Sequence, residues 1–227
     1  MLDTSRNNRG AAKSMLAVAN ERPLIHVVDD DASMRTALEG LFESVGLQTQ
    51  TYATAEDFLK GRLLERPGCI VLDVRLPDMN GLEFQGRLAQ TGVSMPVVMM
   101  TGHGDIPMSV HAMKHGAVDF LSKPFRDQDM LDAVMTAIER DRQRRIIEND
   151  ISQLKQRFET LSPREQEVMF HVATGKMNKQ VAGDLAISEI TVKIHRGAAM
   201  HKMGARTYAD LVRMADALRP SRPKSGR

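Results

Sequence analysis

The sequence predicts an α/β chain in which a doubly wound, five-stranded parallel sheet is joined by a long helical linker to a small all-α domain. Three observations carry this. Between Leu24 and Ile138, short apolar runs alternate with amphipathic stretches five times, the rhythm of β-then-α units in a parallel sheet. Apolar residues then recur every three or four positions from Ile147 to Leu161, a helical seam. Beyond Ser162 no strand pattern returns, and helical stretches are broken near Gly175, Ala186–Ser188 and Gly204. At 227 residues the chain has room for two domains of about 100 residues each.

Residues 1–22 are polar and aperiodic and are expected to form a disordered leader. In the first domain, residues 23–138, strands are expected at Leu24–Val28, Gln48–Tyr52, Cys69–Leu72, Val97–Met100 and Asp119–Leu121. The runs Ile70-Val71-Leu72 and Val97-Val98-Met99-Met100 are apolar on both faces, as buried parallel strands require. Helices are expected at Ala32–Ser44, Ala55–Leu64, Gly81–Gln90, Ile106–His115 and Gln128–Ile138, with Thr54 and Asp105 as N-caps. The last helix is expected to continue into a helical linker, 139–160. There Ile147, Ile151, Leu154, Phe158 and Leu161 follow one another at spacings of 4, 3, 4 and 3. Two heptads are short for an independent coiled coil, so this seam packs on a neighbouring domain or on a second protomer. The second domain, 161–218, opens with Ser162-Pro163-Arg164-Glu165, a capping box with Pro at the first helical position. Residues 219–227 are basic and Pro-rich, an expected disordered tail.

Composition narrows the setting. Hydrophobic residues make up 42% and charged residues 26%, enough to bury real cores. A single cysteine, Cys69, excludes an internal disulfide and fits a reducing compartment. No apolar run approaches the roughly 18–20 residues of a membrane helix, so a cytoplasmic protein with no membrane partner is expected. The net charge of +2 hides an asymmetry. Leu24–Ile138 holds 9 Lys and Arg against 16 Asp and Glu, whereas Glu139–Arg227 holds 18 against 11. A basic second half is a candidate for contact with nucleic acid.

In a doubly wound sheet, function collects at the carboxyl ends of the strands. The first strand ends in Asp29-Asp30-Asp31, the third in Asp73, the fourth in Thr101 and the fifth in Ser122-Lys123-Pro124. Carboxylates converging on one edge repel unless a cation joins them, and hard oxygen ligands suit Mg²⁺. A Lys and a Thr hydroxyl opposite would stabilise phosphoryl oxygens. Central in the sheet, Asp73 is then the candidate acyl-phosphate nucleophile, while Asp31 reads as a helix N-cap. Taken singly, any of these Asp residues reads more simply as a solvated strand end; their coincidence on four strands points to a site.

These residues resemble the receiver domain of two-component response regulators, through Val27-Val28-Asp29-Asp30-Asp31, Leu72-Asp73 to Asn80-Gly81, Thr101-Gly102-His103-Gly104-Asp105 and Lys123-Pro124-Phe125. The resemblance implies that Asp29, Asp30, Asp73 and the backbone carbonyl of Arg75 bind Mg²⁺. It also implies that Asp73 takes the phosphoryl group from a cognate sensor histidine kinase. Thr101 and Lys123 are then phosphate contacts, Phe120 is the aromatic switch, and Lys123-Pro124 carries a cis bond.

In the second domain, 161–227 holds 12 Lys and Arg against 6 Asp and Glu, and its short helices suit a helix-turn-helix reader of the major groove. Leu161–Val168, Gly175–Ala182 and Leu185–His195 resemble a LuxR-type helix-turn-helix. The whole chain thus resembles the FixJ/NarL class of regulators and, in Met177-Asn178-Lys179-Gln180, its FixJ branch, where a nodulation regulator is the expected member. The resemblance makes Asn178–Leu185 the supporting helix and about Glu189–Met203 the recognition helix. Lys193, Ile194 and Arg196 are expected at the groove, and Thr191 and Lys179 near phosphates. His195 reads either as a DNA contact or as a packing histidine. Gly197-Ala198-Ala199 departs from the larger polar residues the family tends to carry there.

A phosphorylation-controlled transcription factor follows as the leading function, not an enzyme. Its implied partners are promoter DNA, RNA polymerase and, on phosphorylation, a second copy. The alternatives are a phosphorylation-independent DNA-binding regulator and a Mg²⁺-dependent aspartyl-phosphate phosphatase. The phosphatase would want an acidic residue two positions after Asp73, where Arg75 stands.

Overall fold

The computed structural model describes residues 22–61, 66–77, 79–102, 112–114 and 116–219. The expected leader, most of the helix at 106–115 with its cap Asp105, and nearly all of the basic tail lie outside them. Two units divide the chain, Met1–Ile146 and Ile147–Arg227.

The first unit is built from β1 (Leu24–Val28), α1 (Ala32–Ser44), β2 (Gln48–Tyr52), α2 (Ala55–Lys60), β3 (Gly68–Asp73), α3 (Gly81–Gln90), β4 (Val97–Thr101) and β5 (Asp119–Ser122). The start of α4 (Asp127–Glu159) completes it. All strand pairs are parallel, in the order β2-β1-β3-β4-β5. Strand side chains alternate between two cores, as a period of two demands. Val28, Ile70, Leu72, Val97 and Met99 pack with Phe58 of α2 and with Phe84 and Leu88 of α3. Ile25, Val27, Cys69, Val71, Val98 and Met100 pack with Leu38 and Phe42 of α1 and Met130, Val134 and Ile138 of α4. The sheet is therefore doubly wound, with helices on both faces. Asp31 caps α1 by accepting from the amides of Ser33 and Met34, and Thr54 caps α2.

The helix expected at Gln128–Ile138 runs on without interruption to Glu159. Its carboxylate Asp141 is fully buried, accepts the Gly68 backbone N–H at 3.1 Å, and pairs with Arg144 at 2.6 Å and Arg145 at 2.7 Å. That network fastens the helix to the first residue of β3. Gly68 has no substitute there, because an added Cβ would lie 2.1 Å from the Leu24 carbonyl oxygen.

In the second unit, α5 (Pro163–Ala173), α6 (Asn178–Leu185), α7 (Glu189–Met203) and α8 (Tyr208–Leu218) follow the end of α4. Val168, Met169, Val172, Val181, Val192, Met203 and Leu211 form its core, and Leu154 and Phe158 of α4 pack against it with Leu161. The expected seam is thus half used: Leu154, Phe158 and Leu161 pack, while Ile147 remains exposed. The Ser162–Glu165 capping box forms, and Lys202 of α7 bonds the same Glu165 at 2.6 Å. The turn between α6 and α7 passes through Ala186 in the left-handed region (φ 52°), and Ser188 caps α7.

Candidate functional site

Strand register assembles the first site. Val28 pairs with Leu72, so the residues that follow them, Asp29 and Asp73, emerge side by side at the carboxyl edge of the sheet. Lys123 follows β5 on the same edge, after a β4–β5 pairing that sets Thr101 against Ser122. Its ammonium bridges both acids, 2.7 Å from Asp29 Oδ2 and 2.6 Å from Asp73 Oδ2. Carboxylate oxygens of Asp29, Asp30 and Asp73 all lie within 4.8 Å of one another. Asp29 and Asp73 are buried and Asp30 is exposed, so the cluster opens on one side.

The surrounding backbone holds these groups in place. The Asp31 N–H donates to Asp29 Oδ1 (2.8 Å), and Arg35 Nη1 donates to the Asp29 carbonyl (2.6 Å). The Arg75 N–H donates to Asp73 Oδ1 at 2.9 Å, and the loop after β3 folds back through an Arg75–Asn80 bridge. The fold-back requires Gly81, where a Cβ would sit 2.8 Å from Val74 Cα. Thr101 is completely buried at the end of β4, and its carbonyl accepts the Lys123 N–H at 2.7 Å. Phe120 is half-buried against the core under α2 and α3, and the Lys123–Pro124 peptide is cis.

Burial dominates the electrostatics of Asp29 and pushes its carboxyl up; the Asp73 charge adds to this, while hydrogen bonds from Lys123 and Asp31 oppose it. For Lys123, burial alone would lower the pKa, but its bonds to Asp29 and Asp73 outweigh that and raise it. Three carboxylates thus cluster around an ammonium that is bonded to two of them, Asp29 and Asp73. An oxygen-only donor set with surplus negative charge fits a hard divalent cation such as Mg²⁺.

The second group of expected residues lies on α6 and α7. Lys179, Lys193 and Ile194 are exposed. Thr191 is half-buried, its hydroxyl 2.8 Å from that of Ser188 within the cap of α7. His195 is half-buried. Arg196, expected to point outward, instead donates from Nη1 to Asn178 Oδ1 at 3.1 Å and ties α7 to the first turn of α6. Helical geometry explains the difference. Val192, Ala199 and Met203 are buried, which fixes the inner face. Arg196 lies on its flank, whereas positions 190, 193, 194, 197 and 201 share the exposed side. Sequence reading missed Ile190 and His201, although counting at 100° per residue from the apolar positions finds both. It also missed Arg35, whose link to Asp29 has no local sequence signal.

Two family models match the chain: the response regulator receiver domain over residues 25–135 and the bacterial regulatory proteins of the luxR family over 159–215. The chain is 55% identical over 200 residues to "Nodulation protein W" of Bradyrhizobium diazoefficiens, covering 88% of each chain. It is 44% identical to "Response regulator protein TmoT" of Ectopseudomonas mendocina, covering 89% of this chain and 92% of that protein. The solved structure of response regulator StyR matches with a TM-score of 0.75 at 44% identity, covering 86% of this chain and 99% of that one.

Proposed function

The chain belongs to the FixJ/NarL class of response regulators, in which a receiver domain precedes a LuxR-type DNA-binding domain, and from that premise we propose how its own residues carry the signal. It is a transcriptional regulator, not an enzyme. One observation carries the reading: the buried Asp73 carboxylate lies within 4.8 Å of the acids Asp29 and Asp30 and is held by the Lys123 ammonium.

An oxygen of Asp73 forms the new P–O bond as the P–N bond of a phosphohistidine on the sensor kinase breaks, and the leaving imidazole takes up a proton. Asp29, Asp30 and Asp73, with the carbonyl of Arg75, would hold a Mg²⁺, which supplies positive charge for the phosphoryl oxygens. Lys123, already bonded to Asp73, turns its ammonium to the incoming group, and the Thr101 hydroxyl bonds it from the end of β4. Phe120 then fills the space Thr101 leaves, which alters the surface beside β5 and favours a homodimer. Two copies of α7 would enter successive half-sites of promoter DNA, with Lys193 and Ile194 at the bases and Lys179 at the backbone. RNA polymerase is the downstream partner. No helix among the described residues is long and apolar enough to cross a membrane, and the cytoplasm is the compartment this reading assigns. The similarity to Nodulation protein W supports a nodulation-linked target set.

The test compares DNA affinity with and without beryllofluoride, which mimics an acyl phosphate. Wild type should bind a selected duplex more tightly when treated, and Asp73→Asn should not respond. An equal response in both proteins would favour control that does not pass through Asp73.

A further inference from the structure

The most exposed large hydrophobic side chain among the described residues is Ile190, 73% accessible, and Ile194 one turn later is 64% accessible. Both lie on the outer side of α7 with Lys193, Gly197 and His201, opposite the buried Val192, Ala199 and Met203. Leaving two branched aliphatic side chains in water forgoes the stabilisation that burial would give them. Gly197, at the centre of that side, also weakens the helix relative to Ala. Nothing in the protein requires the glycine: its φ is ordinary, and no atom lies within 4 Å of where its Cβ would be. Three choices that each cost the isolated domain stability therefore converge on one patch.

We infer that Ile190 and Ile194 read thymine 5-methyl groups in the major groove, with Gly197, about one turn beyond Ile194 on the same side, as a notch that admits the base edge. This rests on the DNA-binding role proposed above. Charge complementarity commits the patch to DNA: Lys193 lies within it, Lys179 is exposed on the supporting helix, and the 161–227 segment carries 12 Lys and Arg against 6 Asp and Glu. In the groove, a thymine is distinguished from cytosine by its methyl as well as by its O4 acceptor, and apolar side chains meet that methyl directly.

The test uses the full-length protein treated with beryllofluoride and a duplex it selects from a random library. Each thymine is replaced in turn by deoxyuridine, which removes only the methyl. At one or two positions per half-site, wild type should lose about threefold to fivefold in affinity, the value of one buried methyl. At those positions Ile190→Ala or Ile194→Ala should lose nothing further. Gly197→Ala should raise the melting temperature of the domain yet weaken binding to the same duplex. The inference is overturned if no deoxyuridine affects wild type, or if each loss persists unchanged in both isoleucine variants. It is overturned equally if the variants bind and respond like wild type but fail to activate transcription, which would assign the patch to a protein partner. Failure to select any duplex would instead sink the DNA-binding role itself.

Discussion

Asp141→Ala should destabilise the first unit by about 2–4 kcal/mol, although Asp141 lies far along the chain from the acidic pocket. The Gly68 N–H, buried at the start of β3, loses its Asp141 acceptor (3.1 Å); leaving such a donor unsatisfied costs about 1–3 kcal/mol. Arg144 and Arg145 lose charge-assisted bonds of 2.6 and 2.7 Å, but their side chains stay 27% and 21% accessible and can turn to water. Their joint share is therefore about 1 kcal/mol. Cys69 supplies the assay, since it is the chain's single cysteine, fully buried beside Gly68 in β3. Its thiol is held far above its ordinary pKa, first by burial and then by the Asp141 charge. It should react with thiol reagents only when the first unit opens. In that regime the expected loss appears as a rise of about thirtyfold to a thousandfold in labelling rate. Asp141→Asn keeps an acceptor for Gly68 and should fall between wild type and Ala. Labelling of Asp141→Ala within about twofold of wild type would refute the clamp.

Three further outcomes are expected. His26 is buried against Tyr52 and Phe58, and burial, aided by the Arg66 charge, lowers its pKa from 6.5 to about 4. The unfolded chain therefore binds a proton the folded one refuses, and roughly 3 kcal/mol of stability, fully present above pH 6.5, should drain away as pH falls towards 4. Denaturation at several pH values checks this: a His26→Gln variant should show a flatter slope over that window, and an unchanged slope would count against the assignment. Gly68→Ala should cost at least about 2 kcal/mol, because the clash is with backbone and no side chain can yield; a fully stable variant would contradict it. For DNA, Lys193→Ala should cost roughly 1–3 kcal/mol on the selected duplex and much less on a scrambled one. Lys179→Ala should weaken both alike and lower the salt slope by about one. Equal losses on both duplexes for Lys193→Ala would move the recognition face.

The sheet and its acidic edge were legible because both are local consequences of pattern. Buried parallel strands are apolar on both faces, and each βα unit delivers the residue after its strand to the same edge, so Asp29, Asp73, Thr101 and Lys123 had to meet. Caps were legible for the same reason: Thr54, Ser162 and Ser188 bond amides three residues away. Asp141 was not, since within Arg140–Arg145 it looks like one more solvated charge. Its burial depends on a backbone N–H 73 residues earlier in the chain. Arg196 makes a contact that the sequence did not show. Its type and position suit DNA, but the crossing of α6 and α7 brings Asn178 within its reach.

The central claim is that Asp73 receives the phosphoryl group, and borohydride reduction tests it most directly. An acyl phosphate on aspartate is reduced to homoserine, so protein incubated with acetyl phosphate and Mg²⁺, then reduced and digested, should carry homoserine at position 73 by peptide mass spectrometry. Homoserine at Asp29, Asp30 or any other acid, with Asp73 unmodified, would contradict it.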